Sequence, residues 1–340
     1  ECLAIDPLSQ GCLYEQAMAD GSEELWLRTM RTESHNFKEL AQEYIEAGLY
    51  EDAVHILEAC PEKDPVCRYM LGYIAAQQGE KEKAAEAFEK GEATCPDYCF
   101  PNRVEEIRIL ESAIAGLAKA PMAHYYLGNL LYDKKQYTQA ARHWEAATKE
   151  KEDLSPAYRN LAIFCYNKEN DSEKALELME KACALDPEYP RIWLEYDQLA
   201  ARMNLPVAKR LEVMEAHPAV TAGRDDLYLR YLTLLNDVGR YQEALDGLSS
   251  RQFHPWEGGE GKVSTQYKYA LIHLAVEKLE KKEPEEARKL LEATLSYPEN
   301  LGEGKLPNVP DNETHYYKES GRIFPPGSIR SAGTGKCAVL

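Results

Sequence analysis

The sequence predicts an all-α, right-handed superhelical solenoid of stacked helical hairpins, one continuous repeat structure over residues 1–317. Three observations carry that expectation. Similar segments recur roughly every 34 residues. Each places small residues and one bulky apolar residue at matching offsets. Most close on a proline, which cannot continue a helix and so sets the turn to the next unit.

Four units read alike. The first holds Phe37, Leu40, Ala41, Tyr44, Gly48, Ala53, Leu57 and Pro65. The second holds Leu71, Gly72, Gly79, Ala84, Phe88 and Pro96. The third holds Leu127, Gly128, Tyr137, Ala140, Trp144 and Ala147. The fourth holds Tyr158, Leu161, Ala162, Ala175, Met179, Ala182 and Pro187. The Leu-Gly or Leu-Ala pair on the first helix leaves room for a close partner. The alanine on the second helix is small for the same reason, and the bulky residue four positions later fills the gap between them. This pattern resembles the tetratricopeptide repeat. The resemblance implies a scaffold that binds proteins or peptides, with the first helix of each pair lining a concave face.

Three weaker units follow. One runs from Trp193 through Ala208 to Pro218, another holds Tyr228, Gly239, Tyr241, Ala244 and Leu248, and the last runs from Leu274 through Ala287 and Leu291 to Pro298. Between the second and third units, Asn102 to Ala120 reads as one extra amphipathic helix with Val104, Ile107, Leu110, Ile114 and Leu117 on one face. The expected total is about seven hairpins plus that helix. At the start, Leu3-Ala4-Ile5-Asp6-Pro7 mirrors Ala184-Leu185-Asp186-Pro187, so the chain reads as beginning inside an earlier repeat of a longer protein. Residues 318–340 are rich in Gly and Pro and read as a disordered or non-native tail. The tail ends in Cys337-Ala338-Val339-Leu340, which fits a prenylation signal; in a bacterial chain that match is an accident.

Composition narrows the function classes. The 340 residues carry 58 acidic and 40 basic side chains, a net charge of −18. The tail has four basic residues and one acidic, so the remainder stands at −21 (−18 less +3). Nucleic-acid binding needs clustered Lys and Arg and is not expected. No apolar run approaches the roughly 18 residues of a membrane span, so no membrane partner is expected. The 22 tyrosines against 6 phenylalanines partly fill aromatic slots of the repeat. Nine cysteines are irregularly spaced and only Cys95 and Cys99 are close, so they read as small packing residues in a reducing, cytoplasmic setting rather than as a zinc site. No catalytic residue, metal cluster or cofactor loop is predicted.

Two loops break the helical pattern in the same way: Phe253–Lys262 and Glu299–Lys305 both contain Gly-Glu-Gly-Lys. Neither is a phosphate loop, because the earlier Gly and the following Ser or Thr are missing. His254, Trp256, Glu257, Glu260 and Glu303 form a candidate loop site. A Trp face beside carboxylates suits a sugar, and paired carboxylates do glycosidic chemistry at about 5–10 Å. The competing expectation is structural: glycines for positive φ, glutamates as helix caps and Trp256 as packing. These loops, with Tyr125–Asn129 and Arg224–Leu227, are similar to the C-terminal repeat region of bacterial proteins that carry an upstream domain of unknown function of galactose-mutarotase-like type. That resemblance covers about residues 3–317. It implies that the chain follows a carbohydrate-associated domain of the same protein, and it transfers no catalytic residue.

On the repeat frame the concave face holds Lys38, Gln42, Tyr69, Tyr73, Tyr125, Asn129, Tyr132, Asp133, Arg159, Tyr166 and Asn167. Phenols and amides of this kind can hold an extended peptide by stacking and hydrogen bonds. A clamp for a C-terminal carboxylate would need Lys where Tyr125 stands and Arg where Glu195 stands; Asn129, Asn160 and Arg191 alone do not make one. The sequence therefore points to a non-catalytic interaction scaffold whose partner is a peptide or an upstream domain of the same protein. The alternative is the accessory half of a carbohydrate-active protein whose glycine-acid loops complete a glycan site.

Overall fold

The computed structural model describes residues 2–61 and 64–304. The expected tail at 318–340, with Cys337, and the end of the solenoid up to 317 lie outside the described residues, as does Lys305. Among the described residues there are helices and turns and no strand. No helix among them is long and apolar enough to cross a membrane. The chain divides into two compact units, residues 1–186 and 187–340.

Unit one begins with α1 (Cys2–Ile5), α2 (Gln10–Asp20) and α3 (Glu23–Met30). The pairs α4 (Ser34–Glu46) with α5 (Tyr50–Glu58) and α6 (Pro65–Gln77) with α7 (Lys81–Ala93) follow. The single helix α8 (Glu106–Gly116) precedes α9 (Pro121–Asp133) with α10 (Tyr137–Glu150), then α11 (Ser155–Phe164) with α12 (Ser172–Leu185). Each named pair packs on itself, and so do α2 and α3. The α2–α3 hairpin is one that the repeat count did not include. Its signal was Tyr14, Ala17, Trp26 and Met30, all of which are buried. Tyr14 meets the edge of Trp26 at 5.1 Å, and Trp26 in turn meets Phe37 at 6.3 Å. Burying each such side chain contributes about 1.5–3 kcal/mol.

The packing logic of the repeat is visible atom by atom. A Cβ added to Gly72 would overlap the Phe88 ring, and one on Gly128 would lie 2.5 Å from Trp144. The turn inside a hairpin needs one left-handed residue. Gly48 and Gly79 supply it at φ 75° and 78°; Lys135 and Asn170 take the same conformation in the next two hairpins. The first helix of a pair repeatedly opens on proline at α6, α9 and α11, where the missing N–H costs nothing. Asp64 adds a cap at α6, accepting from Val66 N at 2.7 Å.

The extra helix is present but shorter than expected. It starts at Glu106 because that side chain turns back and accepts from the backbone N–H groups of Asn102 and Arg103 at 2.7 and 2.8 Å. Val104 is therefore exposed in the preceding turn, and the buried face is Ile109, Leu110 and Ala113. That face packs against α6, α7 and α9.

Unit two holds α13 (Pro190–Arg202), α14 (Val207–Ala216), the short α15 (Pro218–Thr221), α16 (Asp225–Asp237), α17 (Tyr241–Ser250), α18 (Lys262–Glu280) and α19 (Pro284–Ala293). The hairpins α13–α14, α16–α17 and α18–α19 coincide with the three weaker units. The core gathers Leu194, Leu211, Leu227, Leu232, Leu235, Leu248, Phe253 and Leu271. Beside it, Asp197 takes Arg210 at 2.8 and 2.9 Å and Arg230 at 2.7 Å. Asp197 and Arg210 are both buried.

Candidate functional site

Unit one brings part of the predicted groove together around α9 and α11. Asn129 Oδ1 accepts from Trp144 Nε1 at 3.0 Å and from Asn160 Nδ2 at 2.8 Å. Asn160 Oδ1 in turn accepts from Arg159 Nη1 at 3.1 Å. This amide chain crosses from one hairpin to the next and fixes the orientation of both side chains. With its oxygen held by two donors, Asn129 keeps its NH2 end as the group it still offers. Next to it, the Tyr132 ring lies 4.9 Å from Tyr137 and 5.3 Å from Trp144. Burial pushes the Tyr132 hydroxyl above its ordinary range, against the pull of Lys168 and Asn167. The backbone leaves α11 through a π-helical turn, Cys165–Glu169, which carries Tyr166 and Asn167, both half-buried. Tyr125 is half-buried against Tyr126 at 5.5 Å, and Asp133 is exposed beside Lys134.

Of the other predicted groove residues, Gln42 and Tyr69 are buried and Lys38 and Tyr73 are half-buried. Tyr69 is fully buried and donates to Glu92 at 2.8 Å. Glu92 also accepts from the backbone of Met122 and Ala123 at 2.7 and 2.8 Å, so Tyr69 is part of a cap on α9. Gln42 is buried and donates to Glu46 at 2.6 Å. Lys38 is nearly enclosed, 2.8 Å from Asp64. Burial would lower the Lys38 ammonium, but the Asp64 carboxylate outweighs it and holds Lys38 above the usual lysine range. Tyr73 is half-buried, with Arg108 5.7 Å from its ring centre. The repeat frame places each of these residues on the first helix of its pair but does not say which of them a neighbouring side chain engages. In unit two, Arg191 donates to Glu195 at 2.7 Å, and Glu195 is buried.

Two histidines went unnoticed in sequence. His124 on α9 and His143 on α10 place their Nδ1 atoms 2.9 Å apart. Burial lowers both, and His143 is lowered further by His124. They lie nineteen positions apart with no motif to link them; only the hairpin turn brings them together.

In unit two the glycine-acid loops meet. Phe253 N donates to Asn300 O at 2.8 Å, and Asn300 Nδ2 donates to Leu248 O and Arg251 O at 2.8 and 2.9 Å. Gly302 sits at φ 68°, where a Cβ would overlap the Phe253 carbonyl. Gly258 and Gly261 are also left-handed, and the Trp256 ring lies too close to Gly259 for any side chain there. Between the loops is a pocket of about 450 Å³ lined by Trp256, Val263 and Leu301 and edged by Glu257, Glu260 and Glu303. Glu303 accepts from Val263 N and Ser264 N at 3.3 and 2.9 Å, a cap on α18. Among the described residues Glu260 accepts only from Gly258 N, at 3.3 Å. His254 is exposed and bonded to Asp225, its Nδ1 3.1 Å from Oδ2. Positive φ is thus found at Gly258, Gly261 and Gly302 and a helix cap at Glu303, but Glu260 caps no helix, and Glu257 is exposed and makes no hydrogen bond or ion pair among the described residues.

Among the described residues no three His, Cys, Asp or Glu side chains gather as metal ligands. Cys67, Cys99, Cys165 and Cys183 are buried, whereas Cys2 and Cys95 are exposed.

Residues 38–98 and 125–190 match the family model of the tetratricopeptide repeat. Among solved structures, the chain is similar to YrrB, described as a TPR protein with an unusual peptide-binding site: 15% identity, 62% of this chain and 96% of that one, TM-score 0.42. It is also similar to the C-terminal part of a TPR repeat-containing protein from Cytophaga hutchinsonii: 15% identity, 78% and 98%, TM-score 0.42. Yeast Tom70 is similar at 17% identity over 86% of this chain and 55% of that one, TM-score 0.38. None of these likenesses reaches a TM-score of 0.5, and no partner is transferred from them. The helical hairpins spanning residues 38–98 and 125–190 are the part of the chain that is similar to tetratricopeptide repeats.

Proposed function

We propose that the chain is a non-catalytic interaction scaffold that holds an extended peptide segment along the first-helix face of α9 and α11. The observation that carries this is the amide chain from Arg159 through Asn160 to Asn129, which fixes a hydrogen-bond donor beside the half-buried Tyr132 ring. A preoriented amide can pair with a peptide backbone without losing much side-chain freedom, and a phenol ring beside it gives stacking area. Tyr125, Tyr166 and Asn167 extend the same surface. Lys38, Gln42 and Tyr69 are left out of it. The segment bound is either a separate protein or an upstream domain of the same polypeptide.

The test is affinity for a peptide selected from a random displayed library. Tyr132→Ala and Asn167→Ala should each weaken it about tenfold, the usual cost of removing a central interface residue. Unchanged affinity in both variants, with thermal stability retained, would move the binding surface elsewhere. The carbohydrate reading now rests on Glu257, Glu260 and Trp256, since Glu303 is engaged with α18; it faces a direct comparison in the titration below.

A further inference from the structure

The pocket between the glycine-acid loops is lined mainly by apolar side chains and carboxylates, with His254 beside them. Its floor is apolar and aromatic, from Trp256, Val263 and Leu301, and its charged edge is three glutamates. Among the described residues no Lys, Arg, Ser, Thr, Asn, Gln or Tyr lines it, and the one other polar side chain, His254, turns its Nδ1 to Asp225. A carboxylate only accepts hydrogen bonds, so a guest here must mainly donate. A neutral sugar presents donors and acceptors in equal measure and would leave many of its acceptors unmet. A positively charged donor group meets both features at once: carboxylates at the edge and an indole ring below.

The pocket is also built at some expense. Gly258, Gly261 and Gly302 hold left-handed backbone, and Gly259 and Gly302 have no space for a Cβ. Three backbone and side-chain links from Asn300 hold the second loop against the first. Glu257, at the edge, is free among the described residues, and Glu260 has only one weak local donor. Side chains already engaged with each other would offer a guest nothing; these two are available.

We propose that this pocket receives a cationic side chain, an arginine or lysine presented by a protein partner, with its charge against Glu257 and Glu260 and its methylene stem against Trp256. The site is independent of the α9–α11 surface. A volume of about 450 Å³ accommodates one such side chain with water around it. The net charge of −18 favours approach of a basic partner.

The probe is N-acetyl-arginine amide, titrated into the full chain and followed through the Trp256 indole N–H signal in NMR spectra, assigned with Trp256→Phe. N-acetyl-citrulline amide is the neutral isostere, and a methyl glycoside is the sugar arm. At low ionic strength the arginine compound should bind about two- to fivefold tighter than citrulline, as expected for an exposed ion pair. The double variant Glu257→Gln/Glu260→Gln should remove that difference. Both residues are exposed, so the fold should survive, and unchanged signals elsewhere would show that it does. Equal binding of arginine and citrulline overturns the proposal. So does a shift with the glycoside alone, or no shift at about 50 mM of the arginine compound.

Discussion

Gly128 has no room for a methyl group. Its Cβ position lies 2.5 Å from the Trp144 ring and 3.1 Å from the Ala140 carbonyl. Gly128→Ala should therefore cost about 1–3 kcal/mol in a denaturant titration, the price of overpacking a tight contact. Gly48 makes the useful contrast. Nothing lies within 4 Å of its Cβ position, and its φ of 75° is the only obstacle. Gly48→Ala should cost about 1 kcal/mol, from backbone strain alone. Asp197 is a third case. It is the shared partner of Arg210 and Arg230, and removing it strands a buried guanidinium. Asp197→Ala should lose about 3–5 kcal/mol. At this scale the small residues of the repeat were legible, since steric demand recurs with the repeat and leaves the same residue type behind. Tyr69 was not. Its position on the repeat frame matched the groove, but Glu92 approaches from the next helix and draws its hydroxyl inward.

At the scale of elements, the hairpin α9–α10 holds the paired histidines. Burial lowers both below the ordinary histidine value near 6.5, and Glu150, 4.0 Å from His124 Nε2, opposes this only in part. The unfolded chain then binds more protons than the folded one as pH falls through that value. Stability is full above it and is lost on acidification. Melting temperature should fall between about pH 7.5 and about pH 5.5, and it should fall less in His143→Gln, where one of the two lowered groups is gone. An equal fall in both proteins would show that the pair does not contribute. The helix boundaries of this unit were largely readable from prolines and left-handed turn residues. The α2–α3 hairpin was not, because its Tyr14–Trp26 core follows no repeat offset. The extra helix was set too long because hydrophobic spacing continued through Val104, while the Glu106 side chain ended the turn before it.

At the scale of the whole chain, repeat architecture makes stability a sum over neighbours. A strain introduced in one hairpin should stay near it. Gly247→Ala places a Cβ 2.5 Å from Leu232 between α16 and α17. Amide hydrogen exchange should quicken in α16, α17 and α18 and remain unchanged in α4 to α7. Faster exchange throughout would mean that the chain unfolds as a single cooperative block. The candidate sites divide along the same lines. The loop pocket was foreshadowed by two matching Gly-Glu-Gly stretches, in which Gly261 and Gly302 are there for backbone geometry. The Asn129–Asn160 link had no such mark, because it depends on the spacing of two successive hairpins rather than on any one of them.

A peptide held on the first-helix face of unit one would leave a hydrogen-exchange footprint in the bound state. With a library-selected peptide at saturation, α9, α11 and the turn through Asn167 should gain protection, while α10 and α12 should not. Protection confined to α10 and α12, or found only in unit two, would contradict it.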